Sequence, residues 1–248
     1  MQSVSVSPDE MKQFAEMAED WWNPTGKFKP LHIMNGCRTR YIKEEICAHF
    51  GRDENADQPL EGLSILDVGC GGGLLSEPLA RLGANVTGVD ALEVTVKTAK
   101  THAKQMGLDI DYIYGTAEGL VEARQDPFDV VMAMEIIEHV NDPSKFLYDC
   151  AVLTKPGGLN FCSTINRTAR AFWLAIFGAE YVLRWLPKGT HQYEKFIKPD
   201  ELVIMLKEAG LEPDTPVGMM FNPLKQSWKV GLDTSVNFMV RATKPSVK

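Results

Sequence analysis

The chain is expected to fold as an α/β domain: a doubly wound, mostly parallel seven-stranded sheet, with N-terminal helices and a helical insertion after strand 5. Three observations carry this. Short apolar runs alternate with segments of helical period from residue 63 to residue 164, the pattern of parallel strands joined by crossover helices. A glycine loop, Gly69-Cys70-Gly71-Gly72-Gly73, separates the apolar run 63–66 from the helix-like run 74–82. The strand that follows ends in a carboxylate, Asp90. The length, 248 residues, suits one such domain spanning 1–248 with a full core, and leaves no room for two large ones.

Phe14, Met17, Ala18, Trp21 and Trp22 recur at helical spacing, so residues 8–22 read as a helix before the turn Asn23-Pro24-Thr25-Gly26. A second helix covers 31–50 and stops at Gly51; the polar stretch 53–62 reads as a loop. Residues 1–60 thus form a helical cap. Strands at 65–69, 86–90, 112–115, 128–134 and 160–164 alternate with helices at 74–82, 93–106 and 143–154. Lys155-Pro156-Gly157-Gly158 reads as a turn before the fifth strand. A last helix, 199–209, is opened by Pro199 and Asp200 and closed by Gly210. Residues 217–221 and 236–242 suit a closing antiparallel pair. The segment 166–198 breaks the alternation. It is apolar over most of a helical circumference, with aromatic residues beside arginines. It reads either as a helix packed on the sheet edge or as a lid or membrane-surface contact.

Composition excludes several classes. A net charge of −7 argues against a general nucleic-acid surface. The five cysteines (Cys37, Cys47, Cys70, Cys150 and Cys162) contain no Cys-x-x-Cys pair, which argues against a disulfide framework or structural zinc and suits a reducing compartment. The N-terminus shows neither a secretory signal nor an Arg-rich transit segment, and no run has the length to span a bilayer.

Spacing narrows the ligand of the loop. A dinucleotide fingerprint wants a third glycine or alanine at the sixth position of the loop, where this chain has Leu74. Asp67, two residues before the first glycine, would repel a pyrophosphate. It would attract the sulfonium and ammonium groups of S-adenosylmethionine. The pattern Asp-x-Gly-x-Gly-x-Gly resembles that of the class I, Rossmann-like S-adenosylmethionine-dependent methyltransferases. Asp67 with the backbone of Gly69, Gly71 and Gly73 is expected to hold the methionine end, and Asp90 the ribose hydroxyls. Ala117 and Glu118, after the third strand, are expected to flank the adenine, and Met134 to pack on the cofactor. An NAD-dependent dehydrogenase is disfavoured by Leu74 and Asp67.

Glu135, Glu138 and His139 follow the fourth strand, whose carboxyl end is where such sheets bind ligands. If the segment turns helically, they share one face. Two carboxylates and an imidazole so placed could bind a divalent cation or perform acid–base chemistry. Alternatively they shape the pocket while Asn141 or Asp142 caps the next helix. A phenol ionises near pH 10, so forming a phenolate at pH 7 costs about 4 kcal/mol. Aligning acceptor oxygen, methyl carbon and sulfonium can supply roughly 7–11 kcal/mol. Positioning is the larger effect, yet deprotonation is too costly to leave to water. A cation on a catechol, or His139 as general base, would meet that cost.

Over nearly its whole length the chain closely resembles the ubiquinone-biosynthesis O-methyltransferases. The match includes Trp21-Trp22 with Phe28-Lys29-Pro30-Leu31-His32, the stretch Leu66 to Gly73, Met134-Glu135 with Glu138-His139-Val140, and Lys155-Pro156-Gly157-Gly158. It continues through Ser163-Thr164, Asn166-Arg167, Gly178-Ala179-Glu180-Tyr181, Pro187-Lys188-Gly189-Thr190-His191, Phe196-Ile197-Lys198-Pro199 and Asn222-Pro223. The resemblance implies two O-methylations of a polyprenylated catechol or hydroquinone with S-adenosylmethionine as donor. It implies cofactor contacts at Arg38, Gly69, Asp90 and Met134, and divalent-metal ligation, by Mg2+ as the expected ion, at Glu135, Glu138 and His139. It also implies peripheral membrane association through 166–188, at a bacterial inner membrane or a mitochondrial matrix face, and contacts with other quinone-biosynthesis proteins. One departure stands out. Where the family usually reads Asn-Pro, an apolar residue and Arg, this chain has Asn35-Gly36-Cys37-Arg38, and Gly36 is expected to loosen a turn that aims Arg38. Two alternatives are a methyltransferase for a small soluble phenol or amine, and a non-catalytic scaffold of the same fold.

Overall fold

In the computed structural model, residue 15 and residues 17–172, 193–222 and 227–246 are described. A 3-10 turn, Ala18–Asp20, leads to helix α1 (Lys29–Phe50), which Gly51 stops with a left-handed φ of 64°. Strand β1 (Ser64–Val68), α2 (Ser76–Arg81), β2 (Asn85–Asp90), α3 (Glu93–Gln105), β3 (Asp111–Tyr114), α4 (Ala117–Glu122) and β4 (Phe128–Met134) then alternate. A 3-10 turn, Ile137–His139, precedes α5 (Pro143–Val152) and β5 (Thr154–Ile165). After a helical turn at Ala169–Ala171 and a 3-10 turn at Tyr193–Lys195, helix α6 (Pro199–Glu208) and strands β6 (Glu212–Pro213), β7 (Val217–Asn222), β8 (Ser227–Gly231) and β9 (Asn237–Thr243) complete the described chain.

Among the described residues the strands form one sheet in the order β3-β2-β1-β4-β5-β9-β7-β8, with β6 paired to β9. Strands β1 to β5 run parallel; β9, β7 and β8 add antiparallel partners. The order reverses between β1 and β4, and that switch point opens a crevice at their carboxyl ends. The strand period of two divides the core. On β4, Val131 and Ala133 join the layer of α4, α5 and α6. Val130, Met132 and Met134 join the layer of α1 and α2. Because both faces are covered, the strand reads as an unbroken apolar run from Val130 to Met134.

All seven expected strands are present, and the sheet is larger by two. The short β6 and the hairpin partner β8 were not anticipated: the first has only two residues, and the second carries just Trp228 and Val230 as apolar signal. The Lys155–Gly158 turn is absorbed into β5. There the pairing with β4 jumps from Phe128↔Thr154 to Val130↔Leu159, and Gly157 keeps a φ of 77°. Within the expected first helix, Ala15 is α-helical and a 3-10 turn follows at Ala18–Asp20; residues 8–14 and 16 lie outside the described set. Most of the 166–198 insertion, residues 173–192, also lies outside it, with Pro223.

Gly36 does not sit in a turn. The run Asn35 to Arg38 is inside α1, and a Cβ on Gly36 would meet nothing within 4 Å. A mid-helix glycine without a steric need weakens the helix through backbone entropy. Gly36→Ala is therefore expected to raise stability by about 0.5–1 kcal/mol, read by urea denaturation. A loss of stability would show that the α1 backbone is under a constraint this packing does not reveal.

Candidate functional site

The site grows from the end of β1. Gly69, Gly71 and Gly73 all take left-handed φ values (71°, 55° and 89°), which side-chain-bearing residues rarely adopt. The turn is tied to the next strand: the Gly69 N–H donates to the Val89 carbonyl at 2.8 Å. Asp90, at the end of β2, accepts from Gly71 N–H at 3.0 Å with one oxygen and from Leu92 N–H at 2.9 Å with the other. Burial lifts its carboxyl above the ordinary range, against those two donors. A carboxylate offers about four acceptor positions, so room for ribose hydroxyls remains.

Asp67 is buried on β1 and accepts from the Ser76 hydroxyl at 2.6 Å. Burial pushes its carboxyl up to about 6; the Ser76 bond and the Arg38 charge pull the other way. Arg38, on α1, is 5 % exposed and donates through Nη2 to Asn35 Oδ1 at 2.9 Å. Its Nε, also buried, has no hydrogen-bond partner. Burial lowers its pKa, while Glu135 and Asp67 oppose that, so the guanidinium lies between the two expected halves of the site. Glycines that shape a turn, two carboxylates and an unsatisfied guanidinium N–H suit a ligand with cationic groups, a ribose and one carboxylate. That is the chemistry of S-adenosylmethionine.

Ala117 and Glu118 form the first turn of α4, capped by Thr116, and Glu118 pairs with Lys145 at 3.5 Å. Met134 is buried in the core layer beneath α1. Beyond it, the expected helical face is not formed. Glu135 takes a left-handed φ of 55°, and only Ile137–His139 make a turn, of 3-10 type. Glu135 is engaged: Ser163 donates to its Oε1 at 2.7 Å, and Asn237 Nδ2 reaches both oxygens at 3.0 Å. Glu138 is buried and accepts from Thr164 at 2.8 Å. Its carboxyl is raised first by burial and then by the charge of Glu135, while His139 lowers it. Glu138 therefore senses both neighbours. Among the described residues, no three His, Cys, Asp or Glu side chains are gathered closely enough to hold a metal ion as they stand. As donor chemistry, hard oxygens with an imidazole still suit a divalent cation.

The carboxyl ends of β1 and β4 meet directly. A Cβ on Gly69 would fall 2.8 Å from the side chain of Ile136, which places the Glu138–His139 turn beside the glycine loop. Sequence reading missed the supports. Ser76, Thr164 and Asn237 carry no local signal for their roles, and Asn237 acts across 102 residues.

A family model described as a methyltransferase domain matches residues 66–162. A ubiquinone biosynthesis O-methyltransferase of Maricaulis maris is 52% identical, over 98% of this chain and 94% of its own. One of Brucella anthropi is 54% identical, over 98% of each. Among solved structures, magnesium protoporphyrin IX methyltransferase from Synechocystis PCC 6803 with bound SAH aligns at a TM-score of 0.61 and 18% identity, over 95% of this chain and 93% of that one. A SAM dependent methyltransferase from Aquifex aeolicus aligns at 0.59 and 17%, over 92% and 97%. At such identities the structures speak for the fold alone.

Proposed function

The chain belongs to the ubiquinone biosynthesis O-methyltransferases, and from that premise we propose that it methylates the phenolic oxygens of polyprenylated catechol and hydroquinone intermediates. It is an S-adenosylmethionine-dependent O-methyltransferase. One observation carries the chemistry: the glycine loop and the Glu138–His139 turn stand side by side at the β1/β4 switch point.

The donor supplies an electrophilic methyl group on a sulfonium. Asp67 and Asp90 face its positive and hydroxyl-bearing parts. The loop backbone admits it closely because no Cβ intrudes. On the acceptor side, a ring nitrogen of His139 takes the phenolic proton as the C–O bond forms and the C–S bond breaks. Glu138, beside it, stabilises the imidazolium. That transfer meets the roughly 4 kcal/mol that ionising a phenol costs at pH 7.

A divalent cation, Mg2+ by donor type, is the alternative means of deprotonation in this proposal, acting in place of His139 as base. Glu138 and His139 would hold it, and Glu135 would join on releasing Ser163 and Asn237; a bound cation would lower the pKa of a catechol. The charge of Glu135, which helps to raise the buried Glu138 carboxyl, supports this reading. Membrane contact through 166–188, at the face of an inner membrane, is a further part of the proposal: a lipid-tailed substrate needs an interface, and the sequence there sets Phe172, Trp173 and Trp185 beside Arg170 and Arg184. No helix among the described residues is long and apolar enough to cross a membrane.

The test is methyl transfer to prenyl catechols, with and without chelator, and with and without anionic vesicles. Turnover should fall on chelation and recover with Mg2+, and vesicles should raise the rate for a long-tailed catechol. Turnover of water-soluble phenols alone would defeat the substrate assignment. Full activity after complete metal removal would leave His139 as the sole means of deprotonation.

A further inference from the structure

The glycine loop is gripped by the segment that precedes α1. Trp22 Nε1 donates to the Gly72 carbonyl at 2.9 Å, and its ring stacks on His102 of α3 at 3.5 Å and 8°. His102 Nδ1 in turn donates to Glu77 Oε1 at 2.6 Å, and Glu77 lies buried in the first turn of α2. Trp22 is thus fastened both to the loop and to the two helices behind it. Asn35 of α1 adds a third tie, donating to the Leu74 carbonyl at 2.5 Å.

Trp21 packs against the same loop. A Cβ on Gly72 would come within 2.6 Å of its Cβ and Cγ, and one on Gly71 would strike its ring. Phe28 stacks on the other side at 3.8 Å, and His32 Nε2 donates to the Trp21 carbonyl at 2.8 Å. The indole is therefore held at both its ring and its backbone. Yet its Nε1–H is buried and has no hydrogen-bond partner. Leaving a buried donor unmet costs about 1–3 kcal/mol, which a protein tolerates where a ligand brings the acceptor. The Arg38 Nε–H stands in the same condition. The site already has carboxylates for the donor's cationic and hydroxyl groups. The group left without a protein counterpart is the donor's own carboxylate.

We propose that Trp21 is a cofactor-binding residue, its indole N–H donating with Arg38 to the α-carboxylate of the methyl donor, and that Trp22 is the positioning residue that pins it to the loop. This rests on the S-adenosylmethionine reading above. The two variants remove different things: Trp21→Phe keeps a ring for the stack on Phe28 and the Cβ and Cγ beside Gly72 but removes the N–H, and Trp22→Phe removes the bond to Gly72.

Calorimetry with the full chain decides it, using two probes: S-adenosylhomocysteine, which carries the carboxylate, and 5′-methylthioadenosine, which lacks the whole amino-acid end. Trp21→Phe should weaken S-adenosylhomocysteine about ten-fold, the worth of a charge-assisted bond, and leave methylthioadenosine unchanged. Trp22→Phe should weaken both. If Trp21→Phe binds both probes like the wild type, or weakens both alike, the carboxylate contact is overturned while the cofactor reading stands. Wild-type protein that binds neither probe overturns both.

Discussion

Replacing His139 by alanine should lower kcat for a prenyl catechol by about 10²–10⁴-fold, the usual contribution of a positioned general base. The defect should shrink as pH rises toward 10, because the phenol then ionises without help. That pH dependence separates the role from a structural one, since a misfolded site would stay inactive at every pH. His139 is buried, so the control is binding of S-adenosylhomocysteine, which should persist. Glu138→Gln supplies a second reading. It keeps an oxygen for the Thr164 hydroxyl while removing the charge beside the imidazole, and should lower kcat less than loss of the imidazole does. A His139→Ala defect that is flat from pH 7 to pH 10 would sink the general-base assignment.

Asp67→Asn should move stability and affinity in opposite directions. Burial holds the Asp67 carboxyl at about 6 in the folded protein, against an ordinary 3.8. Because the folded value is the higher one, its contribution to stability is greatest below 3.8 and is lost as pH rises toward about 6. At neutral pH the buried charge therefore costs the empty protein about 3 kcal/mol, at about 1.4 kcal/mol per pH unit of difference. The amide removes the charge and still accepts from Ser76. The variant should accordingly be more stable than the wild type at pH 7.5, by up to about 3 kcal/mol in denaturant titration. It should bind S-adenosylmethionine about 10–100-fold more weakly, having lost the attraction to the donor's cationic groups. In the wild type, affinity should fall as pH drops through about 6, where Asp67 takes up its proton; in Asp67→Asn that step should vanish. A variant that is less stable and binds the donor normally would make Asp67 a structural residue.

The parts of the site legible in the sequence are those governed by local constraints. Gly69, Gly71 and Gly73 were readable because a tight strand-to-helix turn needs left-handed backbone, and glycine supplies it without steric cost. Asp90 was readable because the strand period puts it at the end of β2, next to that turn. Helix α1 was placed at 31–50 and begins at Lys29, since its start is marked only by Pro30 and its stop by Gly51. By contrast, the family's Asn-Pro pattern suggested a turn before Arg38 that Gly36 would loosen, while the apolar periodicity of the neighbours kept the helix whole. The run from Met134 to His139 suggested one helical face because its spacing is helical. The structure places Glu135 at a left-handed φ instead, with its backbone N–H donating to the Ser163 carbonyl at 3.1 Å.

By itself, then, the order of residues determined the doubly wound sheet, the glycine turn and the acids that flank it. All of these follow from dihedral preference, period and charge within a few neighbouring positions. Only the tertiary structure decided that Asn237 and Ser163 hold Glu135, that Trp21 and Trp22 close on the loop, and that β8 extends the sheet. Those partners are chosen by where distant segments cross. A residue 102 positions away leaves no mark in the stretch it serves.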